Sequence, residues 1–263
     1  MTDLDLILDA AREAGALAVS ARESGLKIWS KAGGSPVTDA DLAVDALLKA
    51  RLEAARPDYG WLSEETADDH ARLTTARQFV VDPIDGTAAY LKGKPWFAVS
   101  IAVVENGRPI AGVVFAPALD ELYAATADGE ATLNGDPIAP GAATTLDDAA
   151  MLGDARMFVH PSWPTPWPPM RVESRNSIAY RLCLVADGRF DAAIALSPKN
   201  EWDLAAADLI CARSGGSAGA VLTDHLGRSF TYNRPIPLLP SVVCANKTLT
   251  PLILSRVGHI DLP

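Results

Sequence analysis

The order of the predicted elements indicates a mixed fold in which an α+β half is followed by an α/β half. In the first half, two helix-like segments come before a series of strands joined by turn signals. In the second half, strand-like and helix-like segments alternate, a pattern typical of α/β proteins. The change falls near residue 145, and no internal repeat is visible. We therefore expect two units, over residues 1–145 and 146–263.

Size and charge limit the classes of function. The chain has 263 residues, of which 49% are hydrophobic and 21% charged, as in an ordinary globular protein with a large core. Its net charge of -10 argues against a nucleic-acid polymer as partner, because phosphates would be repelled. A small phosphorylated substrate is compatible with this charge where a bound metal reverses the local field.

The sequence also bears on location. The acidic residues 1–5 lack the basic and apolar regions of a signal peptide, so we expect none. No apolar run approaches the roughly 20 residues of a membrane span, so no membrane association is expected. Cys183, Cys211 and Cys244 are odd in number and lie in apolar contexts. They predict buried free thiols and a cytoplasmic location.

Helical periodicity is clearest near the start of the chain. Apolar residues recur at helical spacing over 2–24, and Gly25 is a plausible stop. A second helix is predicted over 39–55, with Thr38 as its N-cap. Its residues expected to face the core are Leu42, Leu47, Leu48 and Leu52.

Strands dominate the rest of the first half, at 61–63, 78–81, 97–104, 110–115 and 121–125. Asn106-Gly107 between two of these runs is a strong hairpin signal, and Asn134-Gly135 marks another turn. In the second half, strands are predicted at 170–173, 190–196, 220–222 and 241–244, and helices at 178–186, 204–213 and 248–257. The proline-rich segment 161–169 is expected to be an extended loop whose tryptophans pack on the body.

The hexapeptide DPIDGT at 82–87 follows an apolar strand and carries the most chemistry. Its proline and glycine interrupt regular structure, which predicts a tight turn. In such a turn the carboxylates of Asp82 and Asp85 and the carbonyl of Ile84 would face one point, as hard divalent cations require. The hydroxyl of Thr87 would orient a water. The alternative is a surface turn with Asp side chains bonded to the local backbone.

Further acidic residues lie at the ends of predicted elements, where rigid strands and helices deliver side chains to one edge. Glu64-Glu65 ends a strand, Asp203 precedes the helix at 204, and Asp41 lies in the first turn of the second helix. Each has a local alternative. Asp203 would complement its helix dipole, Thr38 and Asp41 would form a capping box, and Glu64-Glu65 would be a solvated pair.

Together these segments resemble the inositol monophosphatase superfamily of magnesium-dependent, lithium-sensitive phosphomonoesterases. The matching stretches are SPVTDAD at 35–41, LSEET at 62–66, DPIDGT at 82–87 and WDLAA at 202–206. The resemblance implies a layered αβαβα sandwich and hydrolysis of a small phosphate ester by a metal-activated water. Ser63 departs from the glycine that the family usually has there, which removes no metal ligand.

The resemblance also implies roles for individual residues, with two to three Mg²⁺ ions as cofactors. The first ion would be held by Glu64, Asp82, the Ile84 carbonyl and Asp85. The second would be held by Asp82, Asp85 and Asp203, and a third, weaker ion would lie near Glu64 and Asp41. Thr87 and Glu64 would orient or deprotonate the attacking water, and the backbone N–H groups of Gly86 and Thr87 would hold the phosphate.

The substrate is less clearly indicated. The segment 31–41 is more similar to bacterial 3'(2'),5'-bisphosphate nucleotidases, which remove the 3'-phosphate from adenosine 3',5'-bisphosphate. Inositol monophosphatases usually place a Glu seven residues before the metal-binding Asp, where this chain has Leu196. Arg181 and Lys199 would bind the second phosphate of a bisphosphate. Inositol-1-phosphate is the first alternative, with Glu201 on a shifted loop as the substitute for the missing Glu.

Two further hypotheses stay open. One is histidinol phosphate as the substrate. The second, from a different class of function, is a non-catalytic metal- or phosphate-binding regulator on the same scaffold. Family members are often homodimers, although nothing in this sequence identifies a dimer face.

Overall fold

The computed structural model describes residues 1–30 and 36–262. Within them the α-helices are α1 (Asp3–Ser24), α2 (Asp39–Ala55), α3 (Thr87–Leu91), α4 (Ala155–Phe158), α5 (Ile178–Ala186), α6 (Glu201–Arg213) and α7 (Leu249–Val257). The strands of the first half are β1 (Ile28–Ser30), β2 (Pro36–Thr38), β3 (Gly60–Ser63), β4 (Arg77–Asp85), β5 (Ala98–Glu105), β6 (Arg108–Ala116), β7 (Glu121–Thr126), β8 (Thr132–Leu133) and β9 (Asp136–Pro137). Those of the second half are β10 (Ala150–Leu152), β11 (Arg171–Glu173), β12 (Ala192–Ala195), β13 (Lys199–Asn200), β14 (Val221–Thr223), β15 (Leu238–Leu239) and β16 (Val242–Ala245).

Most strands belong to a large or a small sheet. The large sheet has the order β3-β4-β5-β6-β7-β8-β9, with β3 parallel to β4 and the other neighbours antiparallel. The small sheet has the order β11-β10-β12-β16-β14, with β10 parallel to both of its neighbours. The predicted hairpin joins β5 and β6, and Asn106 and Gly107 both have positive φ, as its turn requires.

Alternation along the strands assigns the layers. Phe79 and Val81 of β4 face a core shared with α1 and α2, whereas Val80 between them faces a core shared with α5 and α6. In the small sheet, Cys244 faces α5 and α6, and its neighbour Val243 faces α7. The helices therefore cover both sheets in the order α1/α2, large sheet, α5/α6, small sheet, α7. This confirms the predicted αβαβα sandwich.

The DPIDGT segment differs from the predicted turn. β4 continues through it to Asp85, with Asp82 paired to Ser100 and Asp85 to Ala98. A shift in register between these two pairs accommodates Pro83, which has no N–H for the ladder. The two aspartates are therefore held by a strand buried in the sheet, which fixes them more firmly than a surface turn would.

Two predictions about helices are wrong in detail. Leu42 is 42% exposed, because the inward face of α2 is formed by Val44, Leu48 and Leu52 instead. α6 begins at Glu201 and not at residue 204, so Asp203 lies inside its first turn. The predicted starts and ends of α1, α2 and α5 agree with the structure to within a residue.

Several peripheral features agree with the sequence. Trp163 and Trp167 of the proline-rich loop pack edge to face, with ring centroids 5.5 Å apart, against the core beneath α7. The cysteines are buried free thiols. No helix in the described part of the chain is both long and apolar enough to cross a membrane.

Lys31 and Ser35 of the segment 31–41 lie outside the described residues. The division near residue 145 stays a proposal.

Candidate metal and phosphate site

Three aspartates converge where β4 ends. One carboxylate oxygen from each of Asp82, Asp85 and Asp203 lies within 4.8 Å of the other two. Asp82 and Asp85 come from the bulged end of β4, and Asp203 comes from the first turn of α6, across the core. The structure therefore brings together residues that are more than a hundred positions apart in sequence.

Asp82 has the most strongly raised pKa of the three aspartates. It is fully buried, and the neighbours that act on it most strongly are the carboxylates of Glu64, Asp85, Asp203 and Asp41. Burial first, and these like charges second, raise the pKa of Asp82 well above its ordinary value. A divalent cation bound beside Asp82 would offset both the cost of burying its charge and the repulsion by the neighbouring carboxylates.

Asp41 and Asp203 are held in the same way. Each is the third residue of its helix, and each accepts a hydrogen bond from the N–H of its own N-cap, Thr38 at 2.8 Å and Asn200 at 2.8 Å. Thr38 and Asp41 thus form the predicted capping box. Burial raises the pKa of Asp41, and burial together with the charge of Asp85 raises the pKa of Asp203 to about 8.

Asp85 joins the site to the start of α5. Its carboxylate accepts hydrogen bonds from the Ser177 hydroxyl at 2.6 Å, the Ala179 N–H at 2.7 Å and the Ile178 N–H at 3.2 Å. Burial raises the pKa of Asp85 to about 6, against the lowering effect of these hydrogen bonds. The N-termini of α2, α5 and α6 all contact carboxylates of the site. The positive ends of these helix dipoles offset part of the repulsion between the carboxylates.

Gly86 is required by geometry at this junction. Its φ of +91° lies in the left-handed region, and a Cβ there would lie 2.8 Å from the Ser177 backbone nitrogen. The chain can therefore turn from β4 into α3 beside the start of α5 only with glycine.

Glu64 is the first residue after β3. Its N–H donates to the Val81 carbonyl at 3.3 Å, which extends the β3–β4 pairing and places its carboxylate at the same sheet edge as Asp82. The charge of Glu64 raises the pKa of Asp82, of Asp203 and of Asp41. Glu64 is thus an electrostatic neighbour of Asp41, Asp82 and Asp203, whereas the carboxylates that lie within 4.8 Å of one another are those of Asp82, Asp85 and Asp203. Its predicted role as a metal ligand stays a proposal.

Thr87 lies between Asp41 of α2 and the Ile84 carbonyl of β4. Its hydroxyl lies 3.1 Å from Asp41 Oδ1 and 3.1 Å from the Ile84 carbonyl, and it can donate to either. The structure thus brings Thr87 and Asp41 together, a contact that the sequence did not predict. The Ile84 carbonyl lies beside them.

The two predicted substrate cations lie in the electrostatic range of the cluster. Burial lowers the pKa of Arg181, and the charge of Asp85 partly offsets this effect. Burial also lowers the pKa of Lys199, with Asp203 opposing it. Arg181 Nε donates to the Arg175 carbonyl at 2.5 Å, and Lys199 Nζ donates to the Ser197 hydroxyl at 2.8 Å.

Glu201 has a structural role that rules it out as the substitute for the missing Glu. It is fully buried, and its oxygens accept the backbone N–H groups of Asn233 at 2.7 Å and Arg234 at 2.9 Å. The buried Arg72 binds the same loop, through the Asn233 side-chain oxygen at 2.8 Å and the Arg234 carbonyl at 2.9 Å, and pairs with Asp68 at 2.6 Å. Glu201 is therefore committed to loop 233–234.

Sequence reasoning missed the supports of the site, namely Ser177, Arg72 and Asp45. Ser177 carries a readable signal, because a serine directly before a helical pattern is a typical N-cap. Asp45 lies one helical turn after Asp41 and so on the same face of α2. Arg72 pairs with the nearby Asp68, but nothing local signals its link to loop 233–234, which is more than 160 residues away.

The donors present fit a hard divalent cation. Asp82, Asp85 and Asp203 offer carboxylate oxygens in a buried setting where they repel each other. The predicted ligands Glu64 and the Ile84 carbonyl would add to these three.

The chain is similar to known proteins over most of its length. The sequence model of the inositol monophosphatase family matches residues 3–261. A histidinol-phosphatase from Chlorobaculum parvum is 33% identical over 98% of this chain and 97% of its own. An inositol-1-monophosphatase from Rhizobium meliloti is 30% identical over 81% of this chain and 88% of its own. The 3'(2'),5'-bisphosphate nucleotidase CysQ of Escherichia coli K12 is 30% identical over 87% of this chain and 93% of its own.

A solved structure shares the fold of this chain. The solved structure of the Thermotoga maritima IMPase superimposes with a TM-score of 0.84 at 24% identity, covering 98% of both chains. These proteins are phosphatases of a metal-dependent family, and they differ in the ester that their names specify. The chain therefore belongs to the inositol monophosphatase family of phosphatases.

Proposed function

We propose that this protein is a Mg²⁺-dependent phosphomonoesterase whose substrate is adenosine 3',5'-bisphosphate, from which it removes the 3'-phosphate. The observation that carries the metal-dependent part is the convergence of Asp82, Asp85 and Asp203 within 4.8 Å. With Glu64 and the Ile84 carbonyl, these residues would hold two to three ions. When bound, Mg²⁺ would lower the pKa of a water and neutralise charge on the phosphate and the leaving oxygen.

Asp41 and Thr87 would act on the attacking water. The Thr87 hydroxyl donates to Asp41 or Ile84, so its oxygen lone pairs are available to accept a hydrogen bond from a water. The raised pKa of Asp41 makes it a stronger base than an ordinary aspartate. Glu64 would share this role, and the N–H groups of Gly86 and Thr87 would bind the phosphate.

The choice of a bisphosphate rests on charge. Arg181 and Lys199 lie within electrostatic range of the cluster and would pair with a second phosphate. Inositol phosphate is disfavoured because neither candidate for its hydroxyl acceptor is available. Position 196 is a half-buried leucine that packs against the core beneath α7, and Glu201 is bound to loop 233–234.

Histidinol phosphate is the second candidate, because the relative from Chlorobaculum parvum matches nearly the whole chain at 33% identity. The amine of that substrate carries a positive charge, which Arg181 and Lys199 would repel. The positive charges of Arg181 and Lys199 thus favour the bisphosphate, while sequence similarity to the Chlorobaculum parvum enzyme favours histidinol phosphate.

The test is release of inorganic phosphate with Mg²⁺ from adenosine 3',5'-bisphosphate, adenosine 3'-monophosphate, inositol-1-phosphate and histidinol phosphate. We expect the highest kcat/KM on the bisphosphate, with the 3'-monophosphate as the matched control that lacks the second phosphate. Arg181→Gln and Lys199→Gln should reduce that difference. Higher kcat/KM on histidinol phosphate or inositol-1-phosphate would overturn the substrate. Binding of Mg²⁺ without release from any ester would indicate a regulator.

The cytoplasmic location expected from the cysteines and the homodimer expected from the family both stay predictions. Gel filtration with light scattering tests the second of these directly.

A further inference from the structure

Asp45 is a buried carboxylate that the proposed reaction does not use. It lies on α2 one turn after Asp41 and is 7% exposed. Its Oδ1 accepts a hydrogen bond from the Ser63 hydroxyl at 2.5 Å, and its Oδ2 accepts one from the Thr66 hydroxyl at 2.6 Å. Ser63 and Thr66 are the residues on either side of Glu64-Glu65.

The arrangement ties together the two ends of the short segment that carries Glu64 and Glu65. β3 ends at Ser63, and the sheet pairing extends only as far as the Glu64 N–H, through its 3.3 Å bond to the Val81 carbonyl. The Ser63 hydroxyl also accepts a weak bond from the Glu65 N–H at 3.4 Å. Beyond that point the Asp45 carboxylate holds the turn from both ends. A buried carboxylate is costly unless hydrogen bonds compensate it, so a local role for it is expected.

We propose that Asp45 is a positioning residue of the metal site, acting through Ser63 and Thr66 to fix the carboxylate of Glu64. The inference rests on the proposed function, in which Glu64 is a metal ligand. It assigns α2 two tasks on one face. Asp41 contacts Thr87 at the end of β4, and Asp45 holds the turn at the end of β3. One face of α2 thus contacts both the segment that follows β4 and the segment that follows β3.

Positioning must be separated from charge, because Asp45→Asn also removes a negative charge near a cation site. The decisive variant is therefore Ser63→Ala combined with Thr66→Val, which breaks both hydrogen bonds and changes no charge. Loss of supports around metal ligands typically weakens metal affinity about 10-fold or more. We expect the double variant to raise the Kd for Mg²⁺, measured by calorimetry with the metal alone, by about 10-fold.

A second measurement shows whether the effect runs through Glu64. Once Glu64→Gln has removed the carboxylate, adding Ser63→Ala and Thr66→Val should change the Kd for Mg²⁺ little, because contacting residues are not additive. Thr66→Ser keeps the hydroxyl and should bind Mg²⁺ like the wild type. Asp224→Asn is the matched control, since Asp224 is also buried and also holds a loop, through the N–H groups of Leu226 and Arg228.

Three results would overturn the inference. One is an unchanged Kd for Mg²⁺ in the double variant while Asp45→Asn weakens binding, which would leave Asp45 a purely electrostatic role. Another is full additivity with Glu64→Gln. The third is an unchanged Kd in Glu64→Gln itself, which would remove Glu64 from the metal site and so identify the proposed function as the part that failed. Should the double variant unfold, Thr66→Val alone breaks one of the two bonds and must still weaken Mg²⁺ binding relative to Thr66→Ser.

Discussion

The hydroxyl oxygen of Thr87 and a carboxylate oxygen of Asp41 lie 3.1 Å apart, although 46 positions separate these residues in sequence. One belongs to the first turn of α3 and the other to the first turn of α2. The second oxygen of Asp41 is held by its own N-cap, so the orientation of the carboxylate toward Thr87 is fixed by the helix itself. This geometry supports the proposal that Asp41 and Thr87 act together on the attacking water.

Thr87→Ala should therefore lower kcat at saturating Mg²⁺ by about 100-fold or more, the usual range for losing a group that acts on a proton in the transition state. The Kd for Mg²⁺ should stay close to that of the wild type. Steady-state phosphate release and calorimetry provide the two values. Thr87→Ser, which keeps the hydroxyl, serves as the control. An alanine variant with wild-type kcat would show that the hydroxyl takes no part in the chemistry.

Asp82→Asn should abolish activity and yet stabilise the metal-free protein. The substitution removes a buried carboxylate that is repelled by its neighbours, and it keeps nearly the same volume. In EDTA at pH 8 we expect a higher Tm than for the wild type, whereas the increase in Tm on adding Mg²⁺ should be lost. Scanning calorimetry measures both. A lower Tm in EDTA, or retained activity, would contradict the metal assignment.

The pH dependence of stability should carry the signature of Asp203. Its pKa is raised to about 8 in the folded protein from an ordinary value of 3.8, so between these values the folded state holds a proton that the unfolded state has lost. The free energy of unfolding contributed by this group is therefore greatest below pH 4 and falls as the pH rises toward 8. Urea unfolding of the wild type and of Asp203→Asn, both in EDTA, isolates this contribution.

The expected result is that the stability of the wild type relative to Asp203→Asn declines steadily from pH 4 to pH 8. In saturating Mg²⁺ the trend should reverse, because the cation binds the deprotonated carboxylate. A difference between the two proteins that does not vary with pH in EDTA would mean that Asp203 has an ordinary pKa.

Arg72→Met should destabilise the fold by about 3 kcal/mol, the lower end of the cost of breaking a buried ion pair, because the Asp68 side chain is 19% exposed. Arg72 is fully buried, and without it Asp68 and the carbonyl of Arg234 lose their donors. Urea unfolding in Mg²⁺ measures the loss. Arg156→Ala is the control, because Arg156 pairs with Asp154 on the open surface and its removal should change nothing measurable. Equal effects of the two substitutions would refute the importance of burial.

The parts of the fold that sequence could predict are those governed by local periodicity and turn chemistry. α1, α2 and α5 have strong helical spacing and recognisable caps, and the β5–β6 hairpin has an Asn-Gly turn. The short strands β1, β8, β13 and β15 were not predicted. Each has only two or three residues and exists because a partner lies beside it, which is information that a local pattern does not contain.

The residues of the candidate site likewise fall into those that local sequence could predict and those that depend on distant contacts. Asp82, Asp85 and Asp203 could be predicted because they form motifs at the ends of elements. Of their supports, Ser177 has the local signal of an N-cap, but its bond to Asp85 could not be predicted. The same holds for the distant bonds of Arg72 and Asp45, because these contacts join segments 18 to more than 160 residues apart. The prediction that Glu201 would replace a substrate-binding Glu was wrong for this reason, because its partners are backbone amides of a distant loop.

The contact between Asp85 and the start of α5 has a consequence for how this family can diversify. Asp85 belongs to the first half of the chain, and Ser177, Ile178 and Ala179 belong to the second. Substrate selectivity is proposed to reside in that second half, near Arg181 and Lys199. Recombination between relatives would exchange ester preference as a block, but only where the incoming block brings a serine or an equivalent hydroxyl for Asp85. Chimaeras that break this pairing should fail at the junction, before any difference in selectivity appears.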